Sequence, residues 1–281
     1  MNFKNNIFYK KVKDHSVTQE VFELHHNQEY DLLITFPKPS IEKLPSYYES
    51  EDYISHTDNK RSLLEKVYHL VKKISIKNKL KLISSLSEKG KILDIGSGTG
   101  DFLLAAKQAG WQTIGYEPNI KAKTISKQKG IELTDKINLL ENSSIDVITM
   151  WHVLEHVPNL EEYISELKRL LKPKGTIIIA VPNFKSFDAE FYGRYWAAFD
   201  VPRHIWHFSK QSISKIFLEK KLQVVNVLPM KFDSFYVSLL SERYRTGKNN
   251  PVRAFFVGLK SNLNAKKTKE YSSHIYIIKN L

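Results

Sequence analysis

The stretch Lys91-Ile92-Leu93-Asp94-Ile95-Gly96-Ser97-Gly98-Thr99-Gly100-Asp101-Phe102-Leu103-Leu104 constrains the fold more than any other part of the chain. Ile92 to Ile95 read as a short buried strand. Gly96, Gly98 and Gly100 follow at alternate positions, and Phe102, Leu103, Ala105 and Ala106 then recur at helical spacing. Glycine has no Cβ, so the backbone turns sharply there and comes close to a ligand. A helix that starts directly after such a turn leaves its first N–H groups directed at whatever sits in it. Strand, tight turn and helix together form the repeating unit of a parallel sheet, and the turn suits a nucleotide-like ligand.

The spacing distinguishes between nucleotides. In the dinucleotide fingerprint G-x-G-x-x-G the third glycine opens the helix, but here Asp101 stands at that place and the extra glycine, Gly100, comes one residue early. Asp94 closes the strand, and its charge repels a pyrophosphate and attracts an ammonium group. A second strand is expected over 111–117, ending in Glu117. A carboxylate about twenty residues beyond the loop accepts both hydroxyls of a ribose. That marks an adenosine cofactor in general, NAD included; the loop spacing is what disfavours NAD. The glycine stretch resembles the first motif of the class I S-adenosylmethionine-dependent methyltransferases. The resemblance implies S-adenosyl-L-methionine as cofactor and S-adenosyl-L-homocysteine as product, held by Asp94, Gly96, Ser97, Gly98, Gly100 and Glu117.

Further strands are expected at 131–133, 145–150, 176–181, 222–228 and 274–279, alternating with helices. The fourth runs into Trp151-His152-Val153-Leu154-Glu155-His156-Val157-Pro158, and Lys172-Pro173-Lys174-Gly175 precedes an apolar strand closed by Pro182-Asn183. Both segments resemble the branch that contains the ubiquinone-biosynthesis O-methyltransferases, in which Leu-Glu-His-Val-Pro recurs. This resemblance implies an α/β fold: a Rossmann-like, mostly parallel seven-stranded sheet with helices on both faces, the class I methyltransferase fold, plus an N-terminal extension. It places the last strand antiparallel between the fifth and sixth, and Trp151 beside the adenine or methionyl arm of the cofactor. In some relatives an acid three positions before the Glu-His pair helps bind a divalent metal. His152 stands at that position, so His152, Glu155 and His156 are the metal candidates. Imidazole in place of a carboxylate weakens a Mg²⁺ site. The alternatives are His152 as a general base or substrate contact, and Glu155 hydrogen-bonded to backbone. Asp94, Glu117, Trp151 and Asn183 all fall at carboxyl ends of strands, where such sheets bind ligands.

Residues 184–208 form an aromatic insertion with Phe187, Phe191, Tyr192, Tyr195, Trp196 and Phe199, followed by Asp200-Val201-Pro202-Arg203-His204-Ile205-Trp206-His207-Phe208-Ser209. Placed after the fifth strand, it is expected to stand over the methyl-donor end of the site. Trp196 then stacks an acceptor, Arg203 fixes an acidic group on it, and His204 or His207 removes its proton. The alternative is a packed aromatic cluster whose histidines satisfy carbonyls. Ser209 reads as a helix N-cap. Residues 1–58 read as an accessory extension, with strands at 21–24 and 32–36 and an aromatic, acidic run at 47–56. Residues 59–281 read as the methyltransferase domain, with a helical insertion at 230–271 that closes the acceptor site or forms a dimer surface.

Of the 281 residues, 42% are apolar, enough for a single large core, and no run is long enough to span a membrane. There is no cysteine, which excludes disulfides and thiolate metal sites. The first thirteen residues lack an apolar signal-peptide core, and a cytoplasmic location is expected. The net charge of +13 is concentrated in 60–91 and 243–269, while 20–58 is acidic. The favoured reading is transfer of a methyl group to an O or N nucleophile of a small-molecule acceptor, a glycan, lipid or quinone precursor. The basic charge keeps RNA or protein methylation as a second reading, and a non-catalytic S-adenosylmethionine-binding domain is a third. The sequence does not give the oligomeric state.

Overall fold

The computed structural model describes residues 1, 3–40, 42–48 and 63–281, and the side chains of these except 44, 45 and 63–69. The expected aromatic run beyond Tyr48, the junction near 58 and the apolar side chains Leu64 and Val67 therefore lie outside what is described.

Three strands open the chain: β1 (Asn6–Lys13), β2 (Val21–Asn27) and β3 (Leu32–Phe36). Helix α1 (Leu63–Leu86) leads to β4 (Lys91–Ile95), α2 (Asp101–Gln108), β5 (Gln112–Tyr116), α3 (Ile120–Gln128) and β6 (Leu133–Thr134). Then come β7 (Ile145–Trp151), α4 (Leu160–Leu170), β8 (Leu171–Pro182), α5 (Phe187–Tyr192), β9 (Trp206–His207), α6 (Lys210–Leu218) and β10 (Leu222–Pro229). The helices α7 (Asp233–Thr246) and α8 (Pro251–Thr268) precede β11 (Ser273–Asn280).

The main sheet has seven strands in the order β10-β11-β8-β7-β4-β5-β6. Strands β8, β7, β4, β5 and β6 run parallel, and β11 pairs antiparallel with both β8 and β10. The expected insertion of the last strand between the fifth and sixth is what the register shows. Successive side chains of a strand point to opposite faces, and both faces here are apolar. Leu93, Ile95, Ile148, Ile177 and Ile179 pack into one cluster with helices α4 and α6, whereas Ile92, Val147, Ile178 and Ile277 pack into another with α2. Burial on both faces is why these strands read as near-continuous apolar runs.

The N-terminal strands form a second sheet, β1-β2-β3-β9, whose last member comes from the aromatic insertion. Leu33 pairs with His207 and Ile34 with Trp206. Thr35 N donates to Ile205 O (2.9 Å) and Ile205 N to Glu155 O (2.8 Å), so the extension is stitched to the turn after β7. Ser209 caps α6 as expected, in a reciprocal capping box with Ser212.

Candidate functional site

Strand β4 ends in Asp94-Ile95, and the turn that follows carries three glycines at φ +72°, +54° and +77° for Gly96, Gly98 and Gly100. This left-handed region suits glycine. The three positions are not equivalent. A Cβ added at Gly96 would meet Val153 Cγ2 at 2.4 Å, and one at Gly100 would meet Ser126 Oγ at 2.4 Å, whereas one at Gly98 meets nothing within 4 Å. Gly96 and Gly100 are small so that protein can pack; Gly98 borders open space. Glu117, just past β5, turns back onto this loop. Its Oε2 accepts from Gly98 N and its Oε1 from Asn119 N, both at 2.8 Å. The acid and the turn that the sequence reading paired are thus in direct contact.

Asp94 is fully buried and accepts from Thr149 Oγ1 at 2.6 Å. Burial pushes its pKa up to about 7, with the Thr149 hydrogen bond and the Lys79 ammonium acting against the rise. Lys79, on α1, stands 4.2 Å over the Trp151 ring. Burial lowers its pKa, opposed by Asp94 and Asp233. Trp151 meets Phe102 edge-on at 5.9 Å, and the buried atoms Ser97 Oγ and Trp151 Nε1 have no hydrogen-bond partner. Free polar atoms, an open edge at Gly98 and a carboxylate beside a resident ammonium make a cradle for an adenosine-bearing cation. S-adenosylmethionine fits it. Asn183 is used differently: its side chain ties β8 to Glu270 Oε2 (2.8 Å) and Tyr271 O (3.0 Å).

Beyond Trp151 the chain turns through His152 at φ +58°. The His152 ring lies between two acids, Nε2 at 2.9 Å from Asp233 Oδ2 and Nδ1 at 3.4 Å from Glu155 Oε1. Burial disfavours its imidazolium, but the two carboxylates outweigh that and carry its pKa to about 10. An imidazole that is protonated at neutral pH has no lone pair for a proton or a metal. The expectation of His152 as a base or metal ligand gives way to a fixed cation. Asp233, at the start of the helical insertion, was not singled out in the sequence; 81 positions separate it from His152, and no local pattern links them.

A different trio gathers instead. Glu155, His156 and His204 each present a ligand atom within 4.8 Å of the others. Glu155 is 1% exposed and neither carboxylate oxygen has a hydrogen-bond partner, so its expected backbone bond is absent. Burial raises its pKa, but the histidines around it prevail and hold it below the ordinary carboxylate value. His156 Nδ1 lies 3.1 Å from Arg203 O, and His204 Nδ1 lies 2.9 Å from Ala198 O. A ring nitrogen facing a carbonyl donates to it, so Nε2 of each ring is the nitrogen left to face a ligand. Backbone carbonyls that accept from the far ring nitrogen fix metal-binding histidines in this way. Burial and the neighbouring His204 press the His156 pKa down to about 4.

The aromatic insertion is not an acceptor wall. Tyr192, Trp196 and Phe199 are buried with Val12, Phe22, Leu24 and Leu33 of the N-terminal sheet. Trp196 is 2% exposed, which leaves it no face for a substrate, and its Nε1 donates to Asp188 Oδ2 at 2.8 Å. Arg203 is 1% exposed. It donates to Asp14 Oδ1 (2.9 Å), Asp200 Oδ1 (2.6 Å) and Tyr47 O (2.9 Å), so its donors are spent inside the protein. His207 Nε2 sits 3.0 Å from Thr35 Oγ1, and burial drives its pKa well down. Trp196, Arg203 and His207 are therefore packing residues, the alternative the sequence left open. Of these side chains, only that of His204 belongs to the trio.

Residues 53–227 match the methyltransferase-domain family. The ubiquinone biosynthesis O-methyltransferase of Rickettsia typhi is 30% identical over 172 residues, covering 56% of this chain and 69% of that protein. The enzyme of the same description from Rhodopseudomonas palustris is 24% identical over 177 residues, 59% of this chain and 70% of its own. A crystal structure of an S-adenosylmethionine-dependent methyltransferase from Thermotoga maritima, described as a possible histamine N-methyltransferase, superposes with a TM-score of 0.54. It is 16% identical and covers 83% of this chain and 98% of its own.

Proposed function

The chain belongs to the methyltransferase-domain family and is an S-adenosylmethionine-dependent methyltransferase, and from that premise we propose that it methylates a hydroxyl oxygen of a small-molecule acceptor held at Glu155, His156 and His204. The observation that carries the proposal is the Glu155 carboxylate, buried with neither oxygen hydrogen-bonded, ion-paired with His152 at 3.4 Å and grouped with His156 and His204. A buried ionised group short of hydrogen bonds is costly unless charge compensates it. Two imidazoles and a carboxylate suit a divalent transition ion better than Mg²⁺. Such an ion, when bound, lowers the pKa of a hydroxyl placed against it.

The remaining steps belong to the protein. The glycine turn and Glu117 hold the adenosine, and Asp94 faces the ammonium of the methionyl arm. The acceptor oxygen, its proton lost to solvent water, would attack the methyl carbon in line as the C–S bond breaks, giving the methyl ether and neutral S-adenosylhomocysteine. Much of the rate comes from positioning, because the sulfonium is already activated. The two relatives named above carry O-methyltransferase descriptions, which supports oxygen as the nucleophile. RNA remains the rival suggested by charge.

The test uses methyl-labelled S-adenosylmethionine with an ortho-dihydroxybenzene probe and, separately, total RNA. Label is expected in the methyl ether. Turnover should fall roughly 10- to 100-fold on chelation or in Glu155→Gln, while S-adenosylhomocysteine still binds. Label in RNA, or full turnover by Glu155→Gln, would sink the reading.

A further inference from the structure

Helix α8 is apolar on the side that faces away from the protein. Ala254, Val257, Gly258, Ser261 and Ala265 are buried on the side that packs against α7 and α5. The approach there is close: a Cβ at Gly258 would come within 2.8 Å of Phe235 Cδ1 and 3.0 Å of Ser234 O. Small residues thus take the inner face and the large apolar ones are outside. Val252 is 66% exposed, Phe255 54%, Phe256 62% and Leu263 50%, with Leu259 at the exposed limit. At 3.6 residues per turn these five fall within an arc of about 100°, opposite the packed face. A contiguous apolar stripe with this orientation marks an interaction surface.

Its rim is basic. Residues 243–269 contain eight lysines and arginines and no aspartate or glutamate. Arg253 and Lys260 line one side of the stripe, over Phe191 and Phe187 at 5.9 and 5.0 Å. Lys266 and Lys267 are exposed near its end. No described helix is long and apolar enough to cross a membrane. An apolar face bordered by cations along one side and at its C-terminal end, on a helix about 27 Å long, is instead the pattern of a helix that lies in the surface of an anionic bilayer.

We propose that α8 is a membrane-surface helix, seating Val252, Phe255, Phe256, Leu259 and Leu263 among the acyl chains of an anionic lipid bilayer with its lysines at the headgroups. Charge complementarity selects this occupant. A second copy of the chain would bring basic rim against basic rim, and RNA would leave Val252, Leu259 and Leu263 without a partner. Helix α7, packed on α8, begins at Asp233, the residue that holds His152. The hairpin therefore joins the bilayer-facing stripe to the site. If the acceptor reading above is right, it places the site within reach of acceptors carried in lipid. The docking itself does not depend on that reading.

The experiment is co-sedimentation of the full chain with phosphatidylcholine vesicles with and without phosphatidylglycerol, at low and high salt. Binding is expected only with phosphatidylglycerol, and weaker at high salt. Phe256→Glu, and separately Lys266→Glu with Lys267→Glu, should each reduce partitioning about tenfold. All three positions are exposed, so thermal unfolding and S-adenosylhomocysteine affinity should stay at wild-type values. Absence of vesicle binding at low salt would overturn the proposal. So would binding that ignores phosphatidylglycerol and survives Phe256→Glu, a dimer that Phe256→Glu dissolves, or an RNA complex that it abolishes.

Discussion

Lowering the pH through 7 is expected to weaken cofactor binding through one group, Asp94. Its carboxyl is fully buried, and burial raises its pKa to about 7 in the ligand-free protein. The cofactor brings an ammonium to that carboxylate, so binding favours the ionised form and pulls the pKa down. Affinity is then complete above pH 7 and falls below it, because a proton must leave before the ligand can settle. With a bound-state pKa well below the free one, the loss is about tenfold at pH 6 and approaches a further tenfold per unit. The assay is calorimetric titration with S-adenosylhomocysteine from pH 8 downward, in two buffers of different ionisation enthalpy, to count the proton released. Asp94→Asn should bind more weakly at neutral pH and show no slope. Without ligand, the raised pKa has the opposite signature. The stability that Asp94 contributes is present below its unfolded pKa and is lost as pH rises through about 7, a dependence that the variant lacks. A wild-type affinity that stays flat from pH 8 to 5 would refute the placement of the ammonium on Asp94.

Other perturbations separate the roles of neighbouring residues. Gly98→Ala should cost about 1 kcal/mol of stability for its positive φ yet abolish most cofactor binding, because its Cβ enters the open edge of the turn. Gly100→Ala should destabilise more, since its Cβ strikes Ser126; urea unfolding beside ligand titration distinguishes the two. Arg203→Met breaks a buried pairing with Asp14 and Asp200 and should lower stability by about 3–5 kcal/mol in urea unfolding. An unchanged midpoint with a raised acceptor KM would restore Arg203 to the substrate. Asp233→Asn should lower the His152 pKa from about 10 by at least about one unit, measured by NMR titration of the ring. The stability that His152 contributes through its carboxylates is present below its unfolded pKa and is lost as pH rises through about 10, so the variant should lose most near neutral pH.

Local chemistry made much of this molecule legible. The glycine turn, Glu117 and the parallel strands follow from spacing and apolar runs, because those patterns are what a doubly covered sheet imposes on sequence; the place of β11 followed from the family resemblance. Strand β1 was missed because it is almost wholly exposed, and Asn6-Ile7-Phe8-Tyr9-Lys10-Lys11-Val12-Lys13 carries no clean alternation. The pairing of β3 with β9 rests on two residue pairs, too few for any pattern. The aromatic insertion read as a pocket wall because composition gives no direction: the same rings that line a cleft also fill a core, and Tyr192, Trp196 and Phe199 fill one. Lys79 is one lysine in a lysine-rich helix, and only the fold brings it over Trp151. Exchanging His152 for His204 in the trio also depended on tertiary structure, since Asp233 draws His152 away and the clamp from Ile205 to Glu155 brings His204 in.

The most direct test of the cofactor site is calorimetric titration of the purified chain with S-adenosylhomocysteine, beside Glu117→Ala and an NAD control. Micromolar binding of about −8 kcal/mol, weakened at least about tenfold in a folded Glu117→Ala and stronger than any response to NAD, is the expected result. Equal binding by the variant, or tighter binding of NAD, would contradict the assignment of the glycine turn and Glu117 to S-adenosylmethionine.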